Sequence, residues 1–168
     1  INVSAGGKTV WSSGRVESDN STAVPYGGPL SPDTRYTWSV KVWDNRGKSS
    51  KKACSSFATG LRAGDWQAQW VGRLNCVGPF RLRGEARPSK AVRRATAYIT
   101  AHGLYEASIN GRKVGDDVLT PGWTSYHKRL QYQAYDVTAL LKAGTNTIDA
   151  VLAPGWYAGG MNYGAVEK

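Results

Sequence analysis

Only two cysteines and two histidines occur among the 168 residues. That is too few for a disulfide framework, and no Cys/His spacing suits a structural zinc. Cys54 and Cys76 fall in segments that read as different domains, so buried free thiols are expected. Long apolar runs are missing as well: none approaches the ~18 residues of a membrane helix. No membrane is therefore expected as a partner. No signal-peptide pattern is visible, and the chain begins at Ile1 rather than Met. Acidic residues are scarce, 12 against 22 Lys and Arg, for a formal net charge of +10. Helical periodicity is almost absent. With 20 Gly and 7 Pro, that lack argues for an all-β architecture. Apolar content of 40% and a mean hydropathy of -0.45 suit a globular chain with a real core.

Period-two alternation carries most of the information in the second half. Ala95, Ala97, Ile99 and Ala101 alternate with Thr96, Tyr98 and Thr100. Leu130, Tyr132 and Ala134 alternate with Gln131 and Gln133, and Ile148, Ala150 and Leu152 with Thr147 and Asp149. Successive side chains of a strand point to opposite faces, so these segments read as half-buried strands. Asn110-Gly111 accepts the positive φ angles of a tight hairpin. One short helix is predicted at residues 137–142, capped by Asp136 or Thr138 and ended by Gly144.

In residues 30–47 a strand is expected with Tyr36, Trp38, Val40 and Val42 on its core face. A turn at Asp44 to Gly47 and a second strand ending near Phe57 follow. This resembles the last strands of a fibronectin type III-like sandwich, where a tyrosine bonds back to the preceding corner. Tyr36 fits that role. Such a sandwich needs about seven strands over roughly 100 residues, so residues 1–61 read as a partial one. Gly60 to Gly64 is the junction, with Trp66 and Trp70 as packing anchors there.

A second resemblance covers the stretch from Gly103 to Tyr157. Gly103-Leu104-Tyr105-Glu106, Ile109-Asn110-Gly111, Val114-Gly115-Asp116, Pro121-Gly122-Trp123-Thr124-Ser125-Tyr126, Tyr135-Asp136-Val137-Thr138, Leu140-Leu141, Gly144-Thr145-Asn146 and Gly155-Trp156-Tyr157 follow one another in order. Singly these are weak; in this order they are specific. Together they resemble the N-terminal accessory domain of bacterial-type α-L-rhamnosidases. The resemblance implies a jelly-roll-like β-sandwich over residues 62–168, shortened at its C-terminal end. It also implies that both chain ends are severed from a longer polypeptide. In that family the reaction is inverting, and its acid and base belong to a C-terminal (α/α)-barrel. Nothing here resembles the barrel, and no two of the 12 carboxylates form the pattern of a glycosidase pair. Asp116 and Asp117 are neighbours, which in a strand would send them to opposite faces. The chain alone is expected to be inactive, and the barrel is an expected partner within the same polypeptide.

Binding is the chemistry left. Trp123, Tyr126, Trp156 and Tyr157 lie in two Pro-Gly-led loops, where aromatic faces can cover the C–H groups of a sugar and small polar residues take its hydroxyls. Packing against the barrel explains the same aromatics equally well. By resemblance, the ligand is a rhamnose-containing carbohydrate, and modules of this kind can hold rhamnose with help from calcium. Asp116, Asp117 and Asn110 are the candidate calcium ligands, although Asn110 has a stronger role as the first residue of the hairpin turn. No other cofactor is called for. His102 and His127 read as isolated, with ordinary hydrogen-bonding roles.

Two other functions compete: a free-standing lectin-like binding protein, and a basic domain for nucleic acid. The second is motivated by Arg81, Arg83, Arg87, Lys90, Arg93 and Arg94, relieved only by Glu85. It ranks last, because Trp123 and Trp156 lie far from that cluster in sequence and only Phe80 adjoins it. A solvated face, or one meeting an acidic neighbouring domain, is the preferred account of the cluster.

Overall fold

Ten short strands carry the fold of the described residues. The computed structural model describes residues 1–75 and 78–158, so Cys76 lies outside the described residues. Two units can be distinguished, Ile1–Gln69 and Trp70–Lys168, each all-β in its described part apart from single helical turns. No helix among the described residues is long and apolar enough to cross a membrane.

The first unit is one antiparallel sheet in the order β2-β1-β3-β4, from β1 (Asn2–Ala5), β2 (Lys8–Ser12), β3 (Arg35–Val40) and β4 (Ala53–Ala58). Tyr36 anchors it. Its ring stacks on Phe57 with centroids 5.1 Å apart, and its phenol oxygen accepts a hydrogen bond of 2.8 Å from the Ser31 amide. That bond ties the strand to the preceding corner, as the sequence implies. Val42 departs from the expectation. β3 ends at Val40 and Val42 is 58% exposed, because the chain turns into a hairpin tip whose amides are claimed by Asp44. The Asp44 carboxylate accepts from the amides of Arg46 at 2.9 Å and Lys48 at 2.8 Å, an Asx-type turn. Cys54, expected buried, is exposed. It sits on β4, an edge strand with every residue exposed.

The second unit has a four-stranded sheet, β5-β10-β7-β8, and a two-stranded one, β6-β9. The strands are β5 (Phe80–Ala86), β6 (Thr96–Ile99), β7 (Leu104–Ile109), β8 (Arg112–Lys113), β9 (Gln133–Asp136) and β10 (Asn146–Ala153). The core is small. Ala101, Tyr105, Ala107, Ile109, Val114 and Val137 are buried, with Ala95, Ala97, Ile99, Tyr135, Leu140, Leu141 and Leu152 packed against them. Ala97 and Ile99 of β6 pack on the core, with Ala95 before the strand and Ala101 after it, as their alternation predicts. Asn110 and Gly111 have φ of 53° and 77° and close the β7–β8 hairpin, as their sequence predicts.

Three details of this unit correct the sequence reading. β9 begins at Gln133, so Leu130 to Tyr132 are not strand, and its parity is the reverse of that expected: Gln133 and Tyr135 are partly buried while Ala134 is more open on the other face. The cause is pairing, since Ala97 faces Tyr135 and Ile99 faces Gln133 across the ladder. Cross-strand partners share a face, and Gln133 tolerates that side because its amide is hydrogen-bonded. The expected helix at 137–142 is only a 3₁₀ turn, Thr138–Leu140. Asp136 Oδ1 accepts from the Thr138 amide at 3.0 Å, and bonding to Thr138 holds the Asp136 carboxyl below the usual carboxylate range. An unexpected helical turn, α1 (Gly155–Ala158), takes in the whole Gly-Trp-Tyr motif.

β10 also breaks its own pattern. Ile148 is 39% exposed whereas Asp149 is 5% exposed. Arg81 and Arg83, on the adjoining β5, cover Asp149: their Nε atoms lie 3.1 Å and 2.7 Å from Asp149 Oδ1. Arg87 pairs with Glu85 at 2.9 Å. Arg81, Arg83 and Arg87 of the cluster are therefore paired within the sheet or at its end. The hydrogen bond from Arg83, with the charge of Arg81, holds the Asp149 carboxyl below its ordinary range against the opposing effect of desolvation. A carboxyl with a depressed folded pKa contributes stability above its unfolded pKa of about 3.9, and that contribution disappears as pH falls through the folded value. Stability of the wild type to chemical denaturation should thus fall on acidification below pH about 4, and Asp149→Asn should show a flatter acid limb. Equal acid limbs in the two proteins would refute this role.

Candidate functional site

Aromatic rings gather where the loop at residues 121–126 and the turn α1 meet the start of β7. Trp123 and Trp156 lie near-parallel, with centroids 6.4 Å apart and planes at 16°. Tyr126 meets the Tyr157 ring edge-on at 5.4 Å. Tyr157 stacks on His102 at 4.6 Å, and His102 stacks in turn on Trp70 at 4.5 Å. The sequence thus names four members of the group and misses two. His102 is sandwiched between rings rather than isolated, and Trp70, 63% exposed, is stacked on His102. One signal points to His102: it directly precedes the first motif glycine.

Backbone geometry makes the gathering possible. Gly103 has φ +97°, and a Cβ there would sit 2.3 Å from the carbonyl oxygen of Ala153. Only glycine lets the segment bearing His102 run this close to the end of β10, and so brings the imidazole over Tyr157. Trp123 remains 61% and Tyr157 41% exposed. The Tyr126 hydroxyl is buried without a hydrogen-bond partner among the described residues, and burial pushes its pKa up.

A shallow cleft of ≈ 180 Å³ lies beside the loop that carries Trp123, lined by Asp117, Val118, Leu119, Thr120, Pro121, Gly122 and Gln133. Its polar groups are fixed by the core. The Tyr105 hydroxyl donates to Gln133 Oε1 at 2.8 Å, and Gln133 Nε2 donates to the Pro121 carbonyl at 3.2 Å. Thr120 is pinned twice to Tyr105: its carbonyl accepts from the Tyr105 amide at 2.9 Å, and its hydroxyl donates to the Tyr105 carbonyl at 2.8 Å. The Thr120-Pro121 peptide is cis. At the rim the Tyr135 hydroxyl donates to Asp117 Oδ2 at 2.8 Å. Burial above all, then its hydrogen bond to Asp117, pushes the Tyr135 phenol well above its ordinary range, so it stays a donor at any physiological pH.

Asp116 is exposed on the same loop. Asn110 is elsewhere and fully occupied. Its Nδ2 donates to the Leu140 carbonyl and to Asn146 Oδ1, both at 2.9 Å, and its Oδ1 accepts from the Thr147 amide at 3.1 Å. It locks the β7–β8 hairpin to β10 and takes no part in the cleft. Among the described residues no three His, Cys, Asp or Glu side chains converge as a metal cluster. A hard cation at this rim would therefore draw on Asp116, Asp117 and neutral oxygens.

The comparisons with known proteins agree for both units. Residues 90–168 match the family described as the alpha-L-rhamnosidase N-terminal domain, and residues 1–63 match the Rha78A-like N-terminal immunoglobulin domain. An alpha-L-rhamnosidase of Streptomyces avermitilis is 46% identical over 127 residues, covering 74% of this chain and 12% of that protein. One from Formosa agariphila is 36% identical over 169 residues, covering 92% and 18%. Among solved structures, the native rhamnosidase of Aspergillus terreus superposes with a TM-score of 0.81 at 33% identity, over 96% of this chain and 20% of that one. The Streptomyces avermitilis enzyme, solved with L-rhamnose, gives 0.83 at 26% identity, over 94% and 33%. The chain covers 12% and 18% of the two curated relatives named here, so most of each has no counterpart in it.

Proposed function

Because the chain belongs, as an N-terminal region, to the α-L-rhamnosidase family, we propose that it is the scaffold and carbohydrate-binding portion of an enzyme that hydrolyses terminal α-L-rhamnosyl residues of glycosides or polysaccharides. Catalysis belongs to further domains of the same polypeptide, an (α/α)-barrel among them. The carrying observation is the pair Trp123–Trp156, in which Trp123 directly follows Gly122 of the cleft that Asp117 also lines. An indole face covers the C–H side of a pyranose, and fixed acceptors such as the Asp117 carboxylate take hydroxyls. A calcium ion there would be held by Asp116 and Asp117, with backbone and sugar oxygens completing its shell. A second reading, docking of the aromatics against the rest of the polypeptide, is favoured by the Tyr126 hydroxyl, buried and without a hydrogen-bond partner among the described residues.

Titration with L-rhamnose, with and without calcium, separates the two readings. Sugar binding predicts a change in tryptophan fluorescence and a loss of about tenfold in affinity for Trp123→Ala, the size of one aromatic contact. Calcium should tighten binding, and Asp117→Asn should abolish that tightening. Silence at millimolar sugar, or full affinity in Trp123→Ala, would leave the docking reading.

A further inference from the structure

A second concentration of positive charge, apart from the paired arginines of the second unit, lies at the β3–β4 hairpin tip of the first. Residues 41–52 carry Lys41, Arg46, Lys48, Lys51 and Lys52 against a single acid, Asp44, whose Oδ1 is engaged by the amides of the turn. All of these residues are exposed. The tip is nonetheless ordered: Trp43 bridges Ser49, and the Ser50 amide donates to the Val42 carbonyl at 2.8 Å. Trp43, 39% exposed, holds two cations at its ring, the Arg15 guanidinium at 5.0 Å and the Lys41 ammonium at 5.6 Å from the centroid. Arg15 is shared with a single, highly exposed carboxylate, Glu17.

We propose that this tip is a binding site for an acidic glycan, one bearing uronate carboxylates. Three physical points support the assignment. Cations already held against an indole lose less side-chain freedom on meeting an anion than free lysines do. Lys41 and Lys52 adjoin the last ladder pair, Val40–Ala53, on its tip side, so like charges meet at the base of the tip, an arrangement that costs stability until an anion lies between them. The indole margin also offers a sugar an apolar contact that a simple counter-ion cannot use. Single-stranded nucleic acid fits less well, since it needs several stacking rings along a basic groove and this tip presents one. The family membership enters only in choosing a glycan among polyanions.

The experiment titrates the whole chain with a short oligogalacturonate, with an uncharged oligogalactan of equal length and with a single-stranded DNA oligomer, following by NMR the Trp43 indole N–H and, in every variant, the tip amides of Arg46 and Lys48. The uronate oligomer should shift that resonance at low ionic strength and weaken in ~0.15 M salt. The uncharged oligomer should leave it unmoved. Trp43→Ala and the exposed pair Lys48→Gln/Lys52→Gln should each weaken uronate binding by about three- to tenfold, and the lysine variant cannot fail by unfolding a core. Neither variant should alter the L-rhamnose titration, which keeps this outcome separate from that of the aromatic site on the second unit. No Trp43 shift with the uronate, equal binding of the uncharged oligomer, or DNA binding as tight as the uronate would each overturn the proposal.

Discussion

Gly103→Ala is expected to destabilise the second unit by about 2–5 kcal/mol. The sum comes from the left-handed backbone, ~1–2 kcal/mol for a residue with a Cβ, and from overpacking, ~1–3 kcal/mol. The overpacking is severe, because the new methyl would meet backbone: the Ala153 oxygen at 2.3 Å and the Pro154 oxygen at 2.9 Å. Neither can step aside as a flexible side chain would. Gly144 separates the two contributions. It has φ +79°, and a Cβ there would meet nothing within 4 Å, so Gly144→Ala should show the backbone cost alone. Urea unfolding of both variants tests this. Equal midpoints for the two would mean that the close approach at Ala153 carries no weight. The Gly103 variant should also part His102 from Tyr157, and so loosen the aromatic surface before any sugar is added.

Asn146→Ala should cost about 3–5 kcal/mol, which few single substitutions reach. Asn146 is fully buried. Its Oδ1 accepts from the Lys142 amide at 2.8 Å and from Asn110 Nδ2 at 2.9 Å, while its Nδ2 lies 3.0 Å from the carbonyls of both Lys142 and Gly144. Removing the amide strands several of these groups away from water, and each unsatisfied one costs ~1–3 kcal/mol. Asn110→Ala breaks the same link from the other side. The double variant should therefore lose clearly less than the sum of the two single losses, since both remove one shared bond. A loss under ~1 kcal/mol for Asn146→Ala, or full additivity with Asn110→Ala, would contradict this account.

Local rules suffice wherever a feature depends on neighbouring residues. The Asn110-Gly111 turn, the Tyr36 corner and the inward alternation of Ala95, Ala97, Ile99 and Ala101 all follow from a few adjacent side chains. They fail where distant partners decide. β9 takes its parity from Ala97 and Ile99 across the ladder, which places a glutamine inward. Asp149 is buried because Arg81 and Arg83 lie over it. Asn146 reads as one letter of a Gly-Thr-Asn motif until Asn110 is brought beside it. Of the site residues, Trp123, Tyr126, Trp156 and Tyr157 are legible as loop aromatics, and the structure pairs them. Asn110 is compatible in sequence with both turn and ligand, and its hydrogen bonds serve the turn. The stack of Trp70 on His102 is not legible, because it joins segments with no common motif.

The position of β10 has a consequence for the chain as it is made. It lies between β5 and β7, yet it is the last strand of the described residues to leave the ribosome. Among those residues the Phe80–Ala86 strand pairs with β10 alone, so it must wait until Asn146–Ala153 emerges. At about 5–20 residues per second that interval lasts several seconds. During it Phe80 and Leu82 stand on an unpaired strand edge, open to wrong partners. The first unit meets no such delay, since each of its strands after the first pairs with one already made. Synthesis thus divides the chain into an early sheet that pairs strand by strand as it emerges and a late one whose closure depends on a single strand, where a chaperone would have most to protect.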